Sequence, residues 1–73
     1  MINMTYDPSV DAAYIYLGRG KVERTEQAGP FAYDVDPEGR ILGIEILSCK
    51  TTLAPGDWIH ARAPGTPLPT AAK

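Results

Sequence analysis

The side chains with the most chemical potential in this chain are acidic. Asp34, Asp36 and Glu38 alternate ahead of Gly39, and Glu45 follows downstream. That order approximates the ligand spacing of a calcium-binding loop, where alternate carboxylates and a terminal glutamate surround a hard cation next to a sharply turned glycine. A calcium loop also needs a helix on either side. Here Pro37 lies inside the segment and both flanks are β-forming, which is the composition of a hairpin turn. An extended hairpin brings Asp34 and Glu45 onto opposing strands but cannot wrap the roughly six to eight oxygens that calcium requires. Asp34, Asp36, Glu38 and Glu45 are therefore metal-ligand candidates by spacing alone, and no metal or cofactor is expected.

A second acidic set, Asp7, Asp11 and Glu45, would serve acid–base chemistry or a cation only in a concave, partly dry site. The simpler roles are Asp7 and Asp11 in a turn and Glu45 paired with Lys21, Arg24 or Arg40 across a sheet. Nucleophilic chemistry has still less support. Cys49 and His60 are the single cysteine and the single histidine, with no evident third group to orient them and too few ligands for zinc. Gly18-Arg19-Gly20 leads into no helix N-terminus that could hold a phosphate. No catalytic residue and no enzymatic activity is expected.

With 73 residues the chain has room for one core. A lone cysteine suits a reducing compartment, so the cytoplasm is the expected location. The net charge of −2 comes with Lys and Arg scattered along the chain, which disfavours nucleic-acid binding. No apolar run approaches the roughly 20 residues of a membrane span, and the first residues lack a signal peptide pattern.

These candidates must be positioned by short strands. Residues 2–6 read as a strand stopped at Asp7-Pro8, where Asp7 caps a single helical turn that has Pro8 at its first position and runs to Asp11. Residues 12–17 form a second strand with Ala13, Ile15 and Leu17 on one face and Tyr14 and Tyr16 on the other. Gly18-Arg19-Gly20 predicts a hairpin into an edge strand at residues 21–26. Residues 31–36 place Phe31, Tyr33 and Val35 on one face. The Asp36-Pro37-Glu38-Gly39 turn then leads into residues 40–47, whose Leu42, Ile44 and Ile46 are assigned to the core. Residues 51–53 could extend a strand, and Trp58 needs burial. The fold expected is mainly β, α+β at most: an antiparallel β-meander of four or five strands with one short helical turn near Pro8. Residues 1–60 make the domain and residues 61–73 a Pro/Gly/Ala-rich C-terminal tail.

Two blocks then carry a resemblance: Tyr6-Asp7-Pro8 through Asp11-Ala12-Ala13-Tyr14-Ile15, and Asp34-Val35-Asp36-Pro37-Glu38-Gly39 through Gly43-Ile44-Glu45-Ile46-Leu47. Over roughly residues 2–49 the chain resembles domain-of-unknown-function family 2283, a group of small bacterial proteins. The resemblance implies no assigned activity. It does imply a partner-binding role, since some members look like companions of compact toxin-like proteins of the messenger-RNA-interferase type. The expected function is thus a protein–protein interaction module, a companion of a toxin-like partner, with Tyr14, Tyr16 and Trp58 as interaction residues. The alternative is a small acidic-site metal or ligand binder. Apolar residues on both faces of the second strand also predict a homodimer. Asp7, Pro8, Asp11, Asp36, Pro37 and Gly39 are expected to be structural turn residues.

Overall fold

The computed structural model describes residues 3–65. Five strands form one antiparallel sheet: β1 (Asn3–Asp7), β2 (Ala12–Tyr16), β3 (Arg24–Ala28), β4 (Phe31–Val35) and β5 (Ile41–Ile46). A short helix α1 (Cys49–Thr52) and one 3-10 turn (Asp57–His60) follow. The mainly β class and the strand number agree with the sequence. The strand order is β1-β2-β5-β4-β3 rather than that of a meander.

The difference arises after β2. Its second edge is occupied by β5, in the register Ala13↔Ile46 and Ile15↔Ile44, so Gly18-Arg19-Gly20 does not form a hairpin. Residues 17–23 instead cross to the far edge. The N–H groups of Leu17 and Gly18 both reach Leu42 O at 2.9 Å, and Glu23 N–H reaches Val35 O at 2.7 Å. The edge strand expected at residues 21–26 accordingly begins at Arg24 and ends at the Gly29-Pro30 turn.

Near Pro8 there is a turn, not a helix. Asp7 Oδ1 accepts Ser9 N–H at 3.0 Å and Ser9 Oγ at 2.6 Å, and Asp11 adopts φ 55°. That left-handed residue sends the chain straight back into β2, and a right-handed helix cannot continue through it. The hairpin between β4 and β5 follows the sequence closely. Gly39 N–H closes the turn on Asp36 O at 2.9 Å, and Gly39 takes φ 82°. One irregularity, a shift between Asp34↔Gly43 and Val35↔Ile41, leaves Leu42 as an extra residue on β5.

Alternation gives the sheet two unlike faces. On the packed face, Tyr6, Ala13, Ile46 and Cys49 are buried together, with Met4, Ile15, Ile44, Leu53, Trp58 and Ala61 against them. The segment expected to extend a strand at residues 51–53 is largely helix, because Asp11 holds its start: Cys49 N–H donates to Asp11 O at 3.0 Å and Lys50 N–H to the Asp11 carboxylate. Trp58 meets the Tyr6 ring edge-on at 5.1 Å and donates its indole N–H to Ala54 O. Ala61 joins this cluster, and Arg62 O accepts Tyr6 N–H at 2.9 Å along the outer edge of β1. The body therefore extends past residue 60. Residues 66–73 of the expected tail lie outside the described residues.

Candidate functional site

The other face of the sheet collects polar and aromatic side chains. One row across the strands runs Asn3, Tyr16, Gly43, Asp34 and Thr25; the next runs Thr5, Tyr14, Glu45, Ala32 and Gln27. The Tyr14 ring leans diagonally from its own row over Gly43, the one β5 position without a side chain. From there its hydroxyl donates to Asp34 Oδ2 at 2.5 Å, while Thr25 Oγ1 donates to Asp34 Oδ1 at 2.6 Å. Burial and the negative Asp34 beside it make the Tyr14 phenol harder to ionise. Tyr16 packs on Tyr14 with ring centroids 4.6 Å apart and is 42% exposed. Of the expected interaction residues, then, Tyr16 is open, Tyr14 is half-buried, and Trp58 lies on the packed face against Tyr6.

Next to this pair is a groove of about 210 Å³ whose polar lining comes from Thr5, Asp7, the two tyrosines and Glu45. Among the described residues no Lys or Arg lines it. Glu45 departs from expectation, since its carboxylate has no hydrogen bond or ion pair among the described residues. Two of the three cations assigned to it are used elsewhere: Arg24 pairs with Glu26 at 2.6 Å, and Arg40 pairs with Asp36 at 2.9 Å and Glu38 at 3.4 Å; the third, Lys21, is exposed in the segment that crosses to β3. Period two separates Glu45 from these cations, because the hairpin turn points Arg40 back at its own acids.

The remaining acidic candidates are dispersed. Asp34 is opposite Gly43 and not Glu45, so the two carboxylates do not share a rung. Asp36 is buried in the turn, where its oxygens accept Glu38 N–H, Arg40 N–H and Arg40 Nε. The Arg40 N–H first, and then its guanidinium, hold the Asp36 carboxyl below the usual range despite burial. Glu38 is exposed. Among the described residues no three His, Cys, Asp or Glu side chains converge as a metal site.

A third acidic position has a purely architectural setting. Asp11 accepts the Tyr6 hydroxyl at 2.7 Å and Lys50 N–H, which lowers its own pKa and pushes that of Tyr6 up to about 12. Cys49 lies fully buried beside it, its thiol directed at Ile46 O and raised in pKa by burial, while His60 is exposed. A sealed thiol and an outward imidazole make no nucleophile–base pair.

Sequence reasoning named Tyr14 and Asp34 but not their bond, and it missed Thr5, Thr25 and Gly43 altogether. The glycine inside β5 was the available signal, since an interior strand glycine marks a close approach. The family model described as protein of unknown function (DUF2283) matches residues 3–50. The chain belongs to this family. The DUF2283 segment covers all five strands and the first residues of α1, so the open face and its groove lie within it except for Pro64. No curated protein and no solved structure gives a match. Among the described residues no helix is long and apolar enough to cross a membrane.

Proposed function

We propose that this DUF2283 protein is a protein–protein interaction module of the cytoplasm that receives a basic side chain of its partner on the open face of the sheet. The observation that carries the reading is Glu45, a half-buried carboxylate in an open groove with no cation paired to it among the described residues. A carboxylate in that position gains most from a charged donor supplied from outside. Tyr14 and Tyr16 stand beside it, and aromatic faces attract a guanidinium or ammonium group. Large rings with a polar tip also give contact area at low entropic cost. The family resemblance adds the class of partner, a compact toxin-like protein whose companion this chain would be.

The test is direct binding to the product of the adjacent gene, measured by calorimetry with purified proteins. Binding with an affinity that falls roughly tenfold or more, about 1.4 kcal/mol, in Glu45→Lys and in Tyr16→Ala is expected. Circular dichroism of both variants should match the parent. Absence of binding rejects the toxin-like companion, and binding that ignores both substitutions rejects the face.

A further inference from the structure

The two edges of the sheet are treated differently. Along β1, the chain's own Arg62 backbone takes up Tyr6 N–H and forms a parallel bridge beside Thr5. Along β3 the described residues place nothing: the strand pairs with β4 alone, and four of its five residues are exposed. An unpaired edge offers a row of N–H and C=O groups to another strand.

The side chains of β3 identify which strand fits. The two-residue Gly29-Pro30 turn makes Ala28 and Phe31 a hydrogen-bonded pair, so Arg24, Glu26 and Ala28 turn their backbone groups inward to β4. Thr25 and Gln27 then direct theirs outward. Arg24 and Glu26 lie on the same face and already form an ion pair, both side chains remaining about half exposed, at 53% and 43%. A copy of the same strand, running antiparallel about a two-fold axis at Thr25, presents this pair in reverse. Thr25 meets Thr25 of the second copy as a hydrogen-bonded rung, and Arg24 stands opposite the second copy's Glu26 in the closer, non-hydrogen-bonded rungs on either side.

The geometry points to a homodimer joined through β3, a continuous ten-stranded sheet in which each Arg24 faces the other chain's Glu26. The interface is isologous. The far edges of the joined sheet are both β1, already engaged by Arg62, so growth stops at two copies. Sliding the register by two residues would set Glu26 against Glu26, which like-charge repulsion disfavours. The self-complementary charge pair thus selects both the partner and the register.

Sedimentation over a concentration series, together with light scattering, tests this. The parent protein should approach twice its 7.9 kDa mass. Arg24→Glu alone and Glu26→Arg alone each place like charges opposite one another, and each should weaken the dimer roughly tenfold or more. An equimolar mixture of the two single variants should dimerise again, because one chain then carries two acids opposite two arginines. The Arg24→Glu/Glu26→Arg double variant should also dimerise. Both positions are exposed, so the folded signal in circular dichroism should persist throughout. A parent that stays monomeric, or a dimer indifferent to both single substitutions, overturns the proposal. So does a failure of the mixture to recover.

Discussion

Gly43 sits beneath the Tyr14 ring, where a Cβ would come within 2.4 Å of the ring atoms. A methyl group there must displace the ring, and with it the hydroxyl that holds Asp34. Gly43→Ala should therefore cost about 1–3 kcal/mol, the usual range for forced overpacking. Adding Tyr14→Ala removes the obstacle, so the double variant should be less destabilised than the two single losses together. Gly39→Ala provides the contrast. Its φ is 82° but its Cβ would meet open space, so it should cost about 1 kcal/mol from backbone strain alone and show no coupling to Tyr14. Denaturant midpoints of the set measure this, and strict additivity of Gly43→Ala with Tyr14→Ala would contradict the ring contact. The role of Gly39 was readable from its four-residue turn. That of Gly43 was not, since the ring above it comes from a strand far earlier in the chain.

Among the elements, the hairpin of β4 and β5 was the most legible because its determinants are local: Asp36, Pro37 and Gly39 fix the turn within four residues. α1 was illegible for the opposite reason. Four residues have little helix propensity of their own, and what sets them is Asp11 reaching Cys49 and Lys50 from the turn between β1 and β2. Both anchoring carboxylates impose a pH dependence. Asp11 and Asp36 hold protons less readily folded than unfolded, so acid favours the unfolded chain. Their stabilisation is complete well above the ordinary aspartate value of 3.8, declines as the pH falls below it, and is lost once the lower folded-state values are passed. On the acid side, thermal melts should hold steady from neutrality down to about pH 5 and fall below it. Asp36→Asn should be less stable than the parent near neutrality and should lose part of that acid decline. An unchanged acid limb in Asp36→Asn would show that the turn carboxylate is not one of the groups responsible.

At the scale of the whole molecule, strand number and class could be read from alternation and turn residues, but strand order could not. β2 has β-forming residues on both edges of choice, and nothing within residues 17–23 states that the chain crosses the sheet instead of folding back. The pairing of β2 with β5 is decided by the Ala13, Ile15, Ile44 and Ile46 surface, which exists only once both strands are present. β5 is thus the central strand and the last of the five in the chain. During synthesis, the hairpin of β1 with β2 and that of β3 with β4 leave the ribosome without a common partner, and an isolated hairpin is at best marginal in water. The sheet can close only after Ile46 has cleared the exit tunnel, so the nascent chain should bear no folding force until then and gain it abruptly as β5 inserts between the two waiting hairpins.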